Sequence, residues 1–367
     1  MKVLVLWART GVTNLGVQAL ADGARALALR AFPNADVRTH GTGGPDLAGN
    51  DGPVNLMRHR RVIKEAMTPR SSLRRWLSTF DLVLDTRAGD SFTDIYGLEQ
   101  LAKMSLVGEV AHQLGVPVVL APQTHGPFRS SRSKALARRS LRTATLVMTR
   151  DTRSAQVARD LGVEPDVIAT DVAFALDVPT NVEKSRDVLL NVSGLLWSPN
   201  PHVDHNRYRQ SMLELIEDLA RAERRVSLLG HVVHQDESAG DNDTHAMSEV
   251  SRRLGDSLEV IKPRDLADAR RYIASAEAVI GARMHACLNA ISMGVPAVPL
   301  AYSDKFEPLM SDLGLADVTV DLRTSRGVAS EALAVLGLAD LTAATAGARA
   351  LATDRLALAV DALRGVV

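Results

Sequence analysis

The stretch "VIGARMHACLNAISMGVPAVPLAY", residues 279 to 302, is the part of the sequence that indicates the fold most clearly. Its first residues end an apolar run typical of a buried strand, residues 285 to 293 have the composition of a buried helix, and its last six residues resemble another strand. A strand, a helix and a strand in succession form the repeating unit of a parallel sheet. Arg283 and His285 stand at the first strand–helix junction, where core packing requires neither a cation nor an imidazole.

The same alternation of short apolar runs and helical patterns extends along the whole chain. Strand-like runs are found at 2–8, 35–40, 81–85, 117–121, 144–150, 166–170, 187–193, 225–231, 258–262, 276–281 and 297–302. Helical patterns fall between them, at 16–31, 97–114, 207–223, 244–254, 265–275 and 285–293. We therefore predict an α/β protein with two Rossmann-like domains, each a parallel sheet with helices on both faces.

Pro, Asn and charged residues interrupt this pattern at 175–185, where we place the linker. The predicted domains are residues 1–177 and 185–330, followed by an Ala-rich helical tail at 331–367. The charge differs between the two parts although the net charge is zero. Residues 1–177 carry 23 Lys and Arg against 17 Asp and Glu, so the rest carries 20 against 26.

The composition excludes several classes of protein. A general nucleic-acid binder needs a larger excess of basic residues than this chain has. A single cysteine, Cys287, rules out an intramolecular disulfide and a cysteine-based zinc site. The apolar N-terminus becomes polar after a few residues and lacks a cleavage site, and no apolar run is long enough to span a bilayer. We expect a cytoplasmic protein.

Arg283 and His285 follow a strand and begin a helix. Ligands of open parallel sheets bind beyond the carboxyl ends of the strands, and helix N-termini favour anions. An arginine adds a planar fork for carboxylate or phosphate, and a histidine transfers protons near neutral pH. The pair is suited to an anionic substrate that undergoes proton transfer. The alternative is a histidine that bonds a carbonyl beside a solvated arginine.

Other polar residues also follow predicted strands. Asn14 and Gly16 lie in the loop after the first strand, where a ligand can approach the backbone closely. Asp90, Ser91 and Asp94 follow the strand at 81–85 and could bind sugar hydroxyls, although a turn that caps the next helix explains them equally well.

Three weaker signals remain. The stretch "GHVVHQDESAGDNDT" (230–244) has histidines and acids with spacings compatible with a metal site, namely His231, His234, Asp236, Asp241 and Asp243. The local pattern is a loop, however, and we predict no metal site there. Cys287 is more consistent with packing than with nucleophilic catalysis. Two Arg-rich stretches, 58–77 and 129–142, are either solvated helix faces or a surface for peripheral membrane contact.

Together these motifs resemble the polysaccharide pyruvyl transferase family. The specific match is "GARMHACLNAISMGVPAVPLAYSDKFEPLMSDLGL" (281–315), which is similar to the family's Arg-x-His signature and the Gly-Val-Pro, Tyr and Lys that follow it. Weaker matches, in family order, are found at 89–97, 121–128, 150–162, 170–174 and 191–196. The resemblance implies transfer of the enolpyruvyl part of phosphoenolpyruvate onto sugar hydroxyls of a glycan or its precursor, leaving a pyruvate ketal. It also implies a fold like that of GT-B glycosyltransferases, with two Rossmann-like domains facing across a cleft.

The resemblance implies roles for particular residues. His285 would be the catalytic acid/base, and Arg283 would bind the phosphate or carboxylate of the donor. The other implied donor-binding residues are Arg150, Ser193 and Lys305. The implied acceptor-binding residues are Asn14, Gly16, Asp90, Ser91, Asp94 and Gln123. Phosphoenolpyruvate is the donor substrate, no cofactor or metal is implied, and the acceptor is a sugar or a lipid-linked saccharide.

The sequence departs from the family at two positions. Val17 stands where the family commonly has an acid, so Asp90 or Asp94 would have to replace that acid as a base for the acceptor. His125 replaces a residue that is usually aliphatic.

Because of these departures, two alternative functions stay open. One is a nucleotide-sugar glycosyltransferase with Glu307 near the ribose, and the other is a non-catalytic glycan-binding relative.

Overall fold

The computed structural model describes residues 1–43, 46, 49–234 and 240–366. The strands are β1 (Lys2–Leu6), β2 (Asp36–His40), β3 (Leu82–Asp85), β4 (Val118–Leu120), β5 (Leu146–Thr149), β6 (Val167–Ile168), β7 (Arg186–Asn191), β8 (Val226–Leu229), β9 (Glu259–Ile261), β10 (Ala276–Gly281), β11 (Ala297–Ala301) and β12 (Val320–Asp321). The helices are α1 (Leu15–Ala31), α2 (His59–Met67), α3 (Ser72–Leu77), α4 (Leu98–Gln113), α5 (Ser131–Thr143), α6 (Thr152–Asp160), α7 (Gly194–Trp197), α8 (His205–Arg221), α9 (Asp243–Arg253), α10 (Leu266–Ala274), α11 (Met284–Ser292), α12 (Phe306–Asp312), α13 (Val328–Leu336) and α14 (Leu341–Arg364). Two 3₁₀ turns span Val172–Ala175 and Ala316–Val318.

The strands form two six-stranded parallel sheets. The first has the order β2-β1-β3-β4-β5-β6 and the second β12-β11-β10-β7-β8-β9. The strand order reverses once in each sheet, between β1 and β3 and between β7 and β10. The predicted α/β class and the pair of parallel sheets are confirmed. The short strand β12 was not predicted.

The strands of the two sheets are apolar because both of their faces are covered. Every residue of β3, β4, β5 and β11 is buried. The side chains at β10 Val279 and Ile280 and at β7 Leu189 and Leu190 are fully buried. Parallel sheets with helices on both faces give such continuous apolar runs, which is why these strands could be located from the sequence.

The chain divides into two compact units. Unit 1 consists of Met1–Val12, Val17–Leu176 and Ala352–Val367, and unit 2 of Thr13–Gly16 and Asp177–Leu351. The segment Thr13–Gly16, a loop that leads into the first two residues of α1, therefore belongs to the second unit, although the rest of α1 belongs to the first. The residues expected as a separate tail, 331–367, comprise the end of α13 and all of α14, and they are divided between the units at residue 351.

In the described part of the chain, no single helix is long and apolar enough to cross a membrane. Helices α13 and α14, a bent pair, meet the length and composition criteria only when taken together.

Candidate functional site

Arg283 and His285 lie at the reversal point of the second sheet. Strand β10 pairs with β7 in parallel, with Gly281 opposite Asn191, and Arg283 follows as the N-cap residue of α11. Ligands bind at such reversal points beyond the carboxyl ends of the strands. The strand–helix junction found in the sequence therefore lies where this fold binds ligands.

Asp243 is the centre of a buried hydrogen-bond network around Arg283. Its carboxylate is fully buried, and one oxygen, Oδ1, accepts from Arg283 Nη2 at 2.8 Å, Arg283 Nε at 3.1 Å and Gly194 N at 2.9 Å. The other oxygen, Oδ2, accepts from the backbone N–H groups of His231 and Val232, both at 3.0 Å, and from Asn191 Nδ2 at 3.1 Å. Six donors occupy this one carboxylate, so it has no lone pair left for a metal ion.

Burial by itself would lower the pKa of the Arg283 guanidinium. The adjacent Asp243 carboxylate outweighs this effect, so the pKa lies above its ordinary value. The side chain is 11% exposed and also donates to the backbone carbonyl of Asp241. Arg283 is thus a permanently charged, well-fixed cation, and part of its fork is already held by the protein.

Asn191, the last residue of β7, connects three loops. Its Oδ1 accepts from the backbone N–H of Arg283 at 2.9 Å, and its Nδ2 donates to Leu229 O at 2.9 Å as well as to Asp243. Asn191 is fully buried. It therefore fixes the positions of the loops after β7, β8 and β10 relative to one another.

The loop Thr13–Gly16 contacts His285. Gly16 N donates to Asn14 Oδ1 at 3.0 Å, and a Cβ added to Gly16 would lie 3.0 Å from His285 Nδ1. Backbone bonds attach this loop to unit 2, with Leu15 N donating to His231 O at 3.0 Å. The structure therefore brings two of the sequence-predicted residues, Asn14 and Gly16, to the imidazole of His285.

His231 is a second imidazole beside this site. It is 1% exposed, and burial first and the nearby His285 second lower its pKa to about 3. Its Nε2 lies 3.4 Å from Asn289 Nδ2, which also donates to His285 O at 2.7 Å. His231 is therefore a neutral, fixed neighbour of His285.

Ser193 and Lys305, the other expected donor-binding residues of unit 2, occupy different settings. Ser193 follows β7 and is fully buried, and its Oγ has no hydrogen-bond partner among the described residues. Lys305 is half-buried at the N-cap of α12. Its charge contributes, after burial, to lowering the pKa of His202, which packs against Tyr302 with ring centroids 5.2 Å apart.

Unit 1 carries a separate buried polar centre at the carboxyl ends of β4, β5 and β6. It consists of Gln123, His125, Thr149, Arg150 and Thr170, each less than 4% exposed. Arg150 Nη1 lies 3.3 Å from Asp171 Oδ2, and its Nε lies 3.7 Å from Asp151 Oδ2, within ion-pairing distance. In the described part of the chain, Nε and Nη2 have no hydrogen-bond partner. Neither side-chain atom of Gln123 has a partner there either. Since buried polar groups are almost always hydrogen-bonded, this centre is equipped for a polar or anionic group from outside the chain.

Both ring nitrogens of His125 are also without a partner among the described residues. Burial, with a smaller contribution from the charge of Arg87, lowers the pKa of His125 to about 3. The ring packs edge-on against Phe92, with centroids 5.1 Å apart. The histidine at this position is a neutral part of the buried centre.

The expected acceptor residues after β3 are held by the protein in different ways. Asp94 Oδ2 accepts from Ser133 Oγ and Arg129 N, both at 2.6 Å, and so fixes the start of α5. Asp90 Oδ2 accepts from Tyr96 at 3.3 Å, and Ser91 Oγ lies 3.5 Å from Asp90 Oδ1. The alternative for these residues was a turn that caps the next helix, α4, but Asp94 instead holds the start of α5, and the N-cap residue of α4 is Gly97.

The remaining sequence signals have structural explanations. Among the residues that the structure describes, no group of three His, Cys, Asp or Glu side chains could hold a metal ion. His231 and Asp243 belong to the networks above, His234 pairs with Asp241 at 3.0 Å, and Asp236 lies outside the described residues. Cys287 is fully buried, and burial raises the pKa of its thiol to about 12, as expected of a packing residue.

Sequence reasoning missed the roles of Asp243 and Asn191. The sequence indicates Asp243 only as a member of a candidate metal-ligand pattern and Asn191 only as part of a strand. The one local signal is their position: Asn191 lies near the end of the predicted strand 187–193, and Asp243 directly precedes the predicted helix 244–254.

Comparison with known proteins identifies the family of the chain. A profile described as Polysaccharide pyruvyl transferase matches residues 54–304. This range includes the Arg-x-His motif, the strand β7 that precedes Ser193, and the buried polar centre of unit 1. No curated protein matches the sequence significantly.

Solved structures share the fold at low sequence identity. UDP-GlcNAc 2-epimerase from Neisseria meningitidis, solved with bound UDP-GlcNAc, is 11% identical, with a TM-score of 0.59 over 99% of both chains. UDP-GlcNAc 2-epimerase from Methanocaldococcus jannaschii is 13% identical, with a TM-score of 0.57 over 92% of both chains. MurG from Acinetobacter baumannii is 13% identical, with a TM-score of 0.50 over 98% of both chains. The predicted GT-B-like pair of Rossmann-like domains is therefore confirmed as the fold.

Proposed function

Because the chain belongs to the polysaccharide pyruvyl transferase family and is a transferase, we propose that it moves the pyruvyl group of phosphoenolpyruvate onto sugar hydroxyls. The observation that carries the proposal is the position of Arg283 and His285. They lie together at the reversal point of the second sheet, where a cation and an imidazole meet at the N-terminus of a helix. An anionic substrate that needs a proton suits this pair.

In the proposed reaction His285 donates a proton to the methylene carbon of phosphoenolpyruvate. The C2 carbon then becomes electrophilic, and a sugar hydroxyl bonds to it and loses its proton to a base. The C2–O bond to phosphate breaks, the phosphate leaves, and a second hydroxyl of the same sugar closes the ketal. No redox step occurs. The two sugar hydroxyls release two protons, of which one replaces the proton that His285 gave to carbon and the other leaves with the phosphate as hydrogen phosphate.

Arg283 supplies the positive charge for a carboxylate or phosphate of the donor. Its Nε and Nη2 are held by Asp243, so the guanidinium is fixed before substrate arrives. A fixed charge stabilises a transition state without reorganisation during the reaction. Ser193 Oγ, buried and without a partner in the described chain, and Lys305 are the further donor ligands that we propose.

Asn14 and Gly16 are assigned to the acceptor, because the Gly16 backbone lies against His285. The buried polar centre of unit 1 is assigned an anionic or hydroxyl-bearing group of a substrate, with Arg150 and Gln123 as its ligands. Arg150 Nε and Nη2 have no hydrogen-bond partner in the described part of the chain, which supports this assignment. The acceptor we propose is a glycan or a glycan precursor, with Asp90 as the candidate base.

The first test is binding. Phosphoenolpyruvate should raise the melting temperature of the full chain, and at 100-fold excess over Kd the stabilisation is about 2.7 kcal/mol. A separate titration with UDP-GlcNAc is the comparison. Stabilisation by the nucleotide sugar and none by phosphoenolpyruvate would replace this proposal with a nucleotide-sugar glycosyltransferase.

The second test is turnover. Phosphate release from phosphoenolpyruvate should depend on an added glycan acceptor, and the product should gain a pyruvate ketal detectable by mass spectrometry and NMR. Binding of phosphoenolpyruvate without phosphate release, for a broad panel of saccharides, would support the non-catalytic relative.

A further inference from the structure

The two Arg-rich stretches of unit 1 form opposite walls of one groove. The groove has a volume of about 910 Å³, and its floor is α4, from Glu99 to Gln113. Residues 57–63 before and within α2 make one wall, and Leu136, Arg139 and Ser140 of α5 make the other. At 1.5 Å per helical residue, the floor extends over roughly 20 Å.

Most of the groove's surface is apolar, and charged side chains stand along it. The two carboxylates of the floor are paired with the walls, Glu99 with His59 at 3.1 Å and Glu109 with Arg139 at 2.7 Å. Ala102 and Leu106 of α4 and Ile63 of α2 contribute apolar surface, and Ile63 is 44% exposed. Nearby, Met57 is 52% and Met67 78% exposed, which is unusual for large apolar side chains. The surrounding segment 57–75 has seven Arg and Lys against one acid, and the exposed cations are Arg58, Arg60, Arg61, Lys64, Arg70 and Arg75.

Lys103 places a buried cation inside the groove without a counter-charge. The residue is 3% exposed, and burial lowers the pKa of its ammonium. Its Nζ lies 3.5 Å from Met57 O and 5.6 Å from the centroid of the Trp7 ring. Among the described residues no carboxylate lies within ion-pairing distance of it. A buried ammonium without a carboxylate is costly, and an external anion would offset that cost.

We propose that this groove binds an anionic phospholipid at a membrane surface. One acyl chain lies along the apolar floor of α4, and the phosphate sits where Lys103 approaches Met57, next to Arg58. The other exposed cations of 57–75 face the surrounding headgroups. An apolar chain that carries a single anionic head matches an apolar floor, a buried cation and a basic rim.

Charge argues against a second copy of the chain as the occupant. A symmetric dimer places the same patch of both subunits together. Here that arrangement would bring Arg58, Arg60 and Arg61 against their own copies, and like charges in contact repel. The groove proposal also does not depend on the proposed transfer reaction, because no residue of the candidate site lines it.

The test is flotation of the full chain with vesicles of phosphatidylglycerol and phosphatidylcholine, compared with vesicles of phosphatidylcholine alone. The wild-type protein should float with the anionic vesicles only, and less at high salt. Equal flotation with both vesicle types, or none with either, overturns the proposal.

Three variants locate the contact. Ala102→Trp fills the floor and keeps all charges, Lys103→Met removes the buried cation and keeps the chain length, and Arg58→Gln with Arg60→Gln neutralises the rim. Each lost cation should weaken binding about fivefold, since one Arg or Lys near an anionic surface contributes about 1 kcal/mol. Ala102→Trp should weaken it at least as much as Lys103→Met.

The matched control neutralises three exposed cations of unit 2, Arg225, Arg252 and Lys262. This control should bind as the wild type does, and circular dichroism confirms that every variant is folded. If Ala102→Trp binds like the wild type while the Arg variants do not, the groove is overturned in favour of surface charge alone. If light scattering shows a dimer that Ala102→Trp alone dissociates, the occupant is a second copy and the proposal fails.

Discussion

Arg283 and Asp243 form a buried ion pair, with Arg283 Nη2 2.8 Å from Asp243 Oδ1. Arg283 could be recognised from the sequence motif, whereas the role of Asp243 could not. The same carboxylate also binds backbone N–H groups of the loops after β7 and β8. One side chain therefore sets both the orientation of the arginine and the shape of the surrounding loops. Breaking such a pair leaves an uncompensated buried charge.

Replacing Asp243 with Asn should destabilise unit 2. An amide has one acceptor oxygen and an NH2 group that would face several N–H donors, so some of the six bonds must break. Loss of a buried charge partner costs about 3–5 kcal/mol. Thermal and denaturant unfolding measure the effect, and phosphoenolpyruvate titration of the folded fraction should show weaker binding.

Asp241→Asn is the matched control for Asp243→Asn. Asp241 contributes its backbone carbonyl to Arg283, and its side chain is 42% exposed. The control should retain wild-type stability and binding. Equal effects of the two substitutions would mean that Asp243 does not hold the site together.

Replacing His285 with Ala should abolish transfer and preserve the fold. A general acid contributes about 10²- to 10⁴-fold to the rate. Phosphate release with a competent acceptor measures kcat, and His245→Ala, an exposed histidine on α9, is the control. A His285 variant within about threefold of the wild type, far below that general-acid range, would remove His285 from the mechanism.

Replacing Arg283 with Lys should weaken donor binding although the charge is kept. The ammonium cannot reproduce the fork that bonds Asp243 through both Nε and Nη2. Losing one charge-assisted hydrogen bond corresponds to about 1.5–3 kcal/mol, which should appear as a higher KM for the donor.

Arg224→Lys provides the comparison for Arg283→Lys. Arg224 bonds Asp187 through Nη2 at 2.6 Å and precedes β8, at the amino end of the second sheet. The Arg224→Lys substitution should lower the stability slightly and leave the KM for the donor unchanged. Unchanged KM and kcat for Arg283→Lys would make Arg283 a structural residue only.

Gly16→Ala should reduce turnover with little loss of stability. The added Cβ would lie 3.0 Å from His285 Nδ1 and 3.2 Å from Asn14 Oδ1, so the imidazole or the loop must shift by a few tenths of an ångström. Misplacing a catalytic group by such distances lowers rates. Gly347→Ala is the control, because its Cβ would meet nothing within 4 Å. Wild-type kcat for Gly16→Ala would show that the loop does not position His285.

Stability should fall as the pH decreases from about 6.5 towards 4, because two histidines of unit 1 are buried and neutral. Burial lowers the pKa of His40 to about 4 and that of His125 to about 3. The unfolded chain binds protons below its ordinary histidine pKa, whereas the folded chain does not, so stability present above pH 6.5 is lost on acidification.

Each such histidine contributes a slope of up to about 1.4 kcal/mol per pH unit. His125→Phe should therefore flatten the pH dependence of the free energy of unfolding of unit 1 between pH 6 and 4. His112→Phe, an exposed position at the end of α4, should leave the slope unchanged. An unaltered slope for His125→Phe would mean that His125 is protonated in the folded state.

Most strands of the two sheets and the position of the Arg283–His285 motif could be predicted from the sequence. Continuous apolar runs separated by helical patterns predict a buried parallel sheet, because both of its faces must be covered. The ends of such runs mark the carboxyl edge, and this placed Arg283 and His285 at a ligand-binding rim. Both inferences use local patterns, in which each residue is interpreted together with its near neighbours.

The surroundings of that motif could not be predicted from the sequence. The order of the strands places β7 beside β10, so that Asn191 and Asp243, which are 92 and 40 residues away from Arg283 in the chain, become its partners. The loop of Gly16 reaches His285 by joining the second unit, although its neighbours in the sequence belong to the first. Strand order and long-range loop contacts arise from packing between distant segments, and hydrophobic periodicity carries no information about them.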